Sequence, residues 1–277
     1  MFTDGLFLPC AVAPVKHIAR LATDRIYRDY CLMASRMGNI PRHHPRNISV
    51  MGRALSVPDV ASFLSTYREI FVEQSYRFNS SNKSPRILDL GANIGLSVIY
   101  FKSIFPDAVI TAYEADPVIF EYLEKNVKSF FLSDVELVQG AAWHEEGTLD
   151  FYSEGADGGR ICPLSMGGTV KVTAYDIKRI LEKGSFDVLK IDIESAEDTV
   201  MPACRGLLGN VSHVLIEYHS SPDRSQQLHG ILDVLADAGL RYYVESVHHS
   251  KSPLVSRPVH GGYDMQLNIF AWRETSC

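Results

Sequence analysis

The sequence has no apolar run near the roughly 20 residues that a membrane-spanning helix needs. It has no internal repeat, no low-complexity tract and no cysteine pair at CxxC spacing. The five cysteines, Cys10, Cys31, Cys162, Cys204 and Cys277, are scattered and odd in number. That argues against a disulfide framework and a structural zinc site, and reads as reduced thiols in a cytoplasmic protein. An excess of positive charge is also missing: 27 Lys and Arg against 33 Asp and Glu leave −6. Such a chain has no general attraction for nucleic acid. The opening MFTDGLFLPCAVAPVKH holds a short apolar stretch without a basic lead, broken by Pro9 and Pro14, and is not expected to be a signal peptide. What remains is 46% hydrophobic and 22% charged over 277 residues, an ordinary globular composition for one or two domains.

Organisation changes at Ser84. The polar stretch NSSNKSP (79–85) reads as a loop and a boundary, dividing a lead-in region, 1–84, from a domain, 85–277. The lead-in is expected to be mainly helical. His17–Met37 suits one or two amphipathic helices, ISVMGRALSV suits a hairpin with Gly52 near its turn, and Pro58 opens a stretch with Val60, Phe63, Leu64 and Tyr67 at helix spacing. Such a region forms a cap rather than a large core of its own.

After Ser84 strand-like and helix-like runs alternate. RILDL (86–90) precedes a helical Leu96–Phe105, and Val109–Tyr113 precedes a helical Val118–Phe130 with Asp116 as N-cap and Pro117 at the first helical position. Further strands fall at Val135–Val138, Phe186–Ile193, His213–Tyr218, Arg241–Glu245 and Gln266–Trp272. Leu228, Ile231, Leu232 and Leu235 make a helical stripe that Gly239 would end. Alternation with short links implies an α/β fold, a mostly parallel sheet covered on both faces. Trp143–Val172 interrupts it and is expected to be a hairpin insertion with a glycine-rich loop.

The sharpest signal is Asp89-Leu90-Gly91-Ala92-Asn93-Ile94-Gly95, between a strand and a helix. Glycines allow a tight turn and close approach to a ligand, and the free amides of the helix start face it. Glu114 ends the next strand, 23 residues after Gly91, where doubly wound folds place an acid on ribose hydroxyls. A dinucleotide site would read GxGxxG, but Asn93 takes the place of its second glycine. Asp89 would repel a pyrophosphate, yet it suits the ammonium of an amino acid. Together these favour S-adenosylmethionine over NAD.

ILDLGANIGLSVIYFKSIFPDAVITAYEADP, VELVQGAAW, LKIDIESAE and IEYH resemble the FkbM family of S-adenosylmethionine-dependent methyltransferases, over about Arg86–Glu245. The resemblance implies a class I methyltransferase fold, a Rossmann-like doubly wound sheet of seven strands with the last antiparallel. It also implies methylation of hydroxyl oxygens, typically on sugars or natural products. By the same resemblance Asp89, Gly91, Asn93 and Gly95 match the pocket for the cofactor's amino-acid tail. Glu114 matches the ribose ligand, Ala115 and Asp116 flank the adenine, and Gly140, Ala141 and Ala142 border its ring. Trp143 would stack on that edge or simply cover the sheet end. Asp192 would face the methyl-donor region. The family reads D-x-E-G-x-E where this chain carries Ser195 in the glycine position.

Methyl transfer to a hydroxyl needs alignment and a proton acceptor. Asp192 and Glu194, two apart on a strand, would face the same side. They would act as metal-free base, or together hold a divalent metal. The former is favoured because no third oxygen ligand is evident. Alternatively Glu194 only orders the next turn, and Ser195 with Asp198 would make a capping box. His219 is a candidate catalytic or acceptor-binding group at a strand's carboxyl end. His248, His249 and His260 suit a solvated loop beside the acceptor. Arg68, Glu69, Glu73 and Tyr76 either close the pocket or form an outer charged face. The expected partner is a small hydroxylated acceptor, with no nucleic acid and no membrane, and a homodimer stays open. Two rival readings are a non-catalytic or degenerate nucleotide-binding protein and an NAD-type oxidoreductase.

Overall fold

Helix starts follow short acidic caps: Asp24, Asp59, Asp116 and Asp176 each accept a first-turn backbone N–H from the helix behind them. The computed structural model describes residues 17–155, 158–161, 169–248 and 250–274. The lead-in forms α1 (17–23), α2 (Arg25–Met37), β1 (Arg46–Val50), β2 (Arg53–Val57), α3 (Val60–Tyr67) and a π-helical turn at Arg68–Val72. Alternation then brings β3 (Arg86–Leu90), α4 (Leu96–Ile104), β4 (Val109–Glu114), α5 (Pro117–Ser129) and β5 (Val135–Gln139). An insertion holds β6 (Ala141–Trp143), β7 (Gly147–Tyr152), β8 (Arg160–Ile161) and β9 (Thr169–Asp176). The chain continues through α6 (Ile177–Lys183), β10 (Val188–Ile191), α7 (Glu197–Ala203), β11 (His213–Ser220), α8 (Leu228–Asp237), β12 (Arg241–Ser246) and β13 (Met265–Trp272).

The main sheet has seven strands in the order β12-β13-β11-β10-β3-β4-β5. β13 runs antiparallel to both its neighbours and the other pairings are parallel, as the family resemblance implies. Alternate strand residues feed two apolar layers, so the sheet is buried on both faces. Ile87, Val188 and Leu215 pack toward α3, α4 and α5. Leu88, Leu90, Leu189 and Ile191 pack toward α6, α7 and α8. No helix among the described residues is long and apolar enough to cross a membrane.

The lead-in is built onto the first of these layers. Ile48, Val50, Leu55 and Val57 of the hairpin belong to the same apolar cluster as α4 and α5. The buried Asn126 side chain ties them polarly as well, accepting from Ser56 N at 2.7 Å and donating to Ser56 O and Ile94 O at 2.9 Å. The hairpin turn is Met51-Gly52, both at positive φ, which matches strand twist in a two-residue loop. His17–Met37 divides in two because Asp24 caps the second helix. The stretch expected to open at Pro58 begins one residue past its cap, Asp59, and buries the four residues the spacing singles out.

Three details differ from expectation. The strand expected over Phe186–Ile193 spans only Val188–Ile191, so Asp192 and Glu194 follow β10 in a turn, with Glu194 at φ 52°, and strand alternation does not set their directions. The insertion is more than a hairpin: β6 pairs parallel to β9, making a four-stranded sheet ordered β6-β9-β7-β8. Most of its glycine-rich centre, 156–157 and 162–168, lies outside the described residues. The capping box is also absent. The N-cap of α7 is Ala196 and makes no side-chain bond, while Asp198 instead pairs with Arg224 at 2.9 Å. Ser195 cannot serve as cap because its φ is 74° and that of Glu194 is 52°, whereas a side-chain cap needs extended backbone.

A left-handed serine is strained where glycine is not. Ser195→Gly is therefore expected to stabilise the fold by about 1 kcal/mol, read from the denaturant midpoint. An unchanged or lowered midpoint would show that the serine side chain compensates for its backbone.

Candidate active site

Strand register places the first polar group. β10 pairs with β3 so that Lys190 stands opposite Asp89, on the face that α4 covers. Lys190 is buried, its Nζ lies 3.3 Å from Asp89 Oδ1 and 3.4 Å from Asp192 Oδ2, and it donates to the Gly91 carbonyl at 2.6 Å. Burial alone would lower the ammonium's pKa, but Asp89 and Asp192 more than offset it and hold it well above the ordinary value. Asp89 accepts from Ser97 Oγ at 2.5 Å through its other oxygen. Asp89 is thus fully buried beneath the turn and does not line the cavity above it.

The turn itself needs its glycines. A β-carbon on Gly91 would collide with the Asp192 carbonyl oxygen, and Gly91 has φ 80°. Asn93 adopts φ 48°, a left-handed conformation that asparagine tolerates. Gly95 is the left-handed N-cap of α4, packed against Leu123, and is not on the cavity wall. Gly140 has φ 154° and passes so close to Tyr175 and the Thr173 carbonyl that a side chain would not fit.

A cavity of about 470 Å³ opens over the carboxyl ends of these strands. Gly91 and Asn93 border it, with Glu114, Ala115 and Asp116 at the end of β4 and Gly140, Ala141 and Ala142 after β5. Glu114 accepts from Asn93 N and Asp116 N, each at 2.8 Å, so its carboxylate is fixed. Burial pushes it up to about 7 against the pull of those two amides. Asp116 caps α5 with one oxygen and accepts from Ser153 with the other, joining the inserted sheet to the site. Trp143 does not line the cavity and packs among the apolar residues beside α6 and α7.

The far wall is acidic. Asp192, Glu194 and Glu217 face the cavity, as does Glu69 from the π-helical turn. Asn268 donates to Glu69 at 2.9 Å, and burial with the nearby Glu217 and Asp192 raises that carboxyl to about 7. Burial raises Glu194 to about 8, opposed by His219 and by the Tyr263 hydroxyl that donates to it at 2.7 Å. Glu217 is raised by burial and by Asp192. His219 stands second from the carboxyl end of β11, as expected, but it is buried and does not line the cavity, with Nδ1 3.3 Å from the fully buried Glu197. Burial disfavours its charge, but Glu197 holds its pKa well above the ordinary histidine value.

Of the four lead-in residues considered, Glu69 and Tyr76 line the cavity, while Arg68 and Glu73 pair with each other at 2.7 Å on the exposed side. His248 and His260 border the cavity with ring centroids 4.3 Å apart, and His249 lies outside the described residues. Lys190, Glu217 and Tyr263 were not singled out in the sequence. The first two carry a readable signal: Lys190 precedes Asp192 by two and Glu217 precedes His219 by two, so each pair, read as extended chain, falls on one face.

These residues fit S-adenosylmethionine. Glu114 is an anchored acceptor for a ribose diol, Ala141 and Ala142 leave room for a flat ring, and Gly91 and Asn93 expose backbone to an amino-acid tail. The turn is flanked by Glu114, Asp116 and Asp192, which would repel a pyrophosphate.

The raised carboxyls make stability depend on pH. Between about 4.5 and 7 the folded chain holds protons on Glu69 and Glu114 that the unfolded chain has released, so stability falls as pH rises. Glu194 shifts in the same direction. Ligand-free protein is expected to melt at a higher temperature near pH 5.5 than near pH 8.5, by calorimetry. The opposite order would contradict these assignments.

Residues 89–242, more than half of the chain, match the family model described as Methyltransferase FkbM domain. "Methyltransferase sdnD" of Sordaria araneosa is 30% identical over 174 residues, 49% of this chain and 66% of that protein. "Methyltransferase 1" of Beauveria bassiana (strain ARSEF 2860) is 29% identical over 83 residues, 30% of this chain and 33% of that protein. The matched part therefore spans just under two thirds of one relative and a third of the other. Among solved structures, a SAM-dependent methyltransferase from Agrobacterium tumefaciens is similar with a TM-score of 0.51 and 11% identity, covering 85% of this chain and 72% of that one, a likeness of fold. The protein belongs to the FkbM methyltransferase family, whose methyl donor is S-adenosylmethionine.

Proposed function

We propose that the protein methylates a hydroxyl oxygen of a small molecule, a sugar or another natural product. One observation carries this reading: the turn and Glu114 at one end, and the acidic wall of Glu69, Asp192, Glu194 and Glu217 at the other, border the same cavity. A volume of about 470 Å³ suits a cofactor with a small acceptor. S-adenosylmethionine supplies, when bound, an activated methyl group on a sulfonium.

The chain's own residues then have two tasks. Glu114, with Gly91 and Asn93, fixes the nucleoside so that reactants meet in line, where alignment gives most of the rate. The acidic wall takes the proton that the acceptor hydroxyl must lose. Carboxyls at about 7 and about 8, as on Glu69 and Glu194, are matched to proton transfer near neutral pH. An NAD-type oxidoreductase is disfavoured by the acids around the turn.

Glu114→Ala is expected to weaken S-adenosylhomocysteine binding at least about tenfold in titration calorimetry while the chain stays folded, read from its circular dichroism spectrum. Unchanged affinity would remove Glu114 from the site. Labelled donor incubated with a panel of hydroxylated acceptors is expected to yield an ether product, and Glu194→Gln to lower kcat about 100-fold with S-adenosylhomocysteine affinity retained. A label on nitrogen or carbon would refute the hydroxyl assignment.

A further inference from the structure

This inference deepens the methyl-transfer reading and rests on it. It concerns the end of the acidic wall where Asp192 and Glu194 follow β10 and His219 stands on the adjacent β11. One ligand atom from each of these three residues lies within 4.8 Å of the other two. Acids grouped at a surface are common, but two observations set this group apart. His219 has a side chain only 1% exposed, and its Nε2 has no hydrogen-bond partner. That atom faces Glu217 Oε1 at 3.5 Å and Glu194 Oε2 at 3.8 Å.

The other nitrogen explains why. Nδ1 lies 3.3 Å from Glu197 Oε1, and Glu197 is itself held by backbone N–H groups of Ile193 at 3.1 Å and His219 at 3.4 Å. With Nδ1 held by a buried carboxylate, Nε2 is aimed at the acids, and a cation bound among them would take the place of the proton on Nε2. Such a carboxylate behind the ring is the arrangement that orients metal-bound histidines. The wall's buried cation is already committed: Lys190 is divided between Asp89, Asp192 and the Gly91 carbonyl.

We propose that Asp192, Glu194 and His219 bind one divalent cation of the Mn²⁺ class, which holds the acceptor's hydroxyl oxygen beside the methyl donor. Two carboxylates with one imidazole favour a first-row transition ion over Ca²⁺, which prefers six to eight oxygens. An oxygen held by such an ion gives up its proton more readily. With Glu194 serving as a ligand rather than as the proton acceptor, the O–H bond breaks with the proton passing to Glu217, the O–C bond forms, and the C–S bond breaks with its electron pair left on sulfur. Nothing is oxidised or reduced. The third ligand escapes a reading of the sequence because His219 lies 25 residues beyond Glu194 and joins it only through the pairing of β10 with β11.

The test titrates MnCl₂ into the full chain after chelation and dialysis, following binding by calorimetry and by the electron paramagnetic resonance of free Mn²⁺. One ion per chain is expected, with His219→Gln and Glu194→Gln each losing at least about tenfold in affinity and His248→Gln, on the neighbouring loop, unchanged. Should His219→Gln fail to fold, Glu194→Gln carries the test, since that side chain is 20% exposed. S-adenosylhomocysteine is titrated into the same chelated sample. Its binding without any Mn²⁺ binding overturns the cation site alone, as does Mn²⁺ bound equally by every variant. Failure to bind S-adenosylhomocysteine would instead strike the methyl-transfer reading on which the site depends.

Discussion

A buried ammonium holds the floor of the cavity together. Lys190 sits where β3 and β10 end side by side, and removing its charge from water is expensive, several kcal/mol for a lone ion. Two carboxylates and one carbonyl offset that cost, and each lies on a different part of the site: Asp89 under the turn, Asp192 at the acidic wall, Gly91 in the turn itself. The lysine therefore couples the backbone path of the glycine turn to the direction in which β10 delivers Asp192 and Glu194. Gly91 completes this coupling, because only a residue without a β-carbon lets the turn lie against the Asp192 carbonyl.

The electrostatic character of the cavity follows from that arrangement. Once Lys190 is shared between Asp89 and Asp192, the remaining wall of Glu69, Glu194 and Glu217 is crowded with like charge and poorly solvated. Burial and mutual repulsion raise all three carboxyls. Such a wall suits a cationic donor, repels phosphate and provides proton acceptors near neutral pH. It also accounts for the supporting polar groups around it, the Tyr263 hydroxyl on Glu194, Asn268 on Glu69 and Glu197 behind His219.

Much of the fold was legible because local rules and tertiary demands agree. Asp116-Pro117 opens α5 as read, the alternating runs after Ser84 become the parallel strands, and Met51-Gly52 makes the expected hairpin turn. The adenosine end of the site was legible for the same reason: Gly91, Asn93 and Glu114 lie on one strand-turn-helix-strand unit. The acceptor end was less so, since its groups come from distant segments. Glu69 arrives from the lead-in, Tyr263 from the loop before β13, and Glu217 with His219 from a strand whose neighbours the sequence does not state. Ser195 is not the cap its spacing to Asp198 suggests, because its backbone is at positive φ and the N-cap of α7 is Ala196.

The central claim is that nucleoside and acceptor share one compartment, floored by Lys190. A crystal structure with S-adenosylhomocysteine tests it most directly. The account predicts ribose hydroxyls on the Glu114 carboxylate, the amino-acid tail along Gly91–Asn93, and the sulfur open toward Asp192 and Glu194. A ligand bound with its ribose away from Glu114, or with its sulfur walled off from the acids, would contradict it.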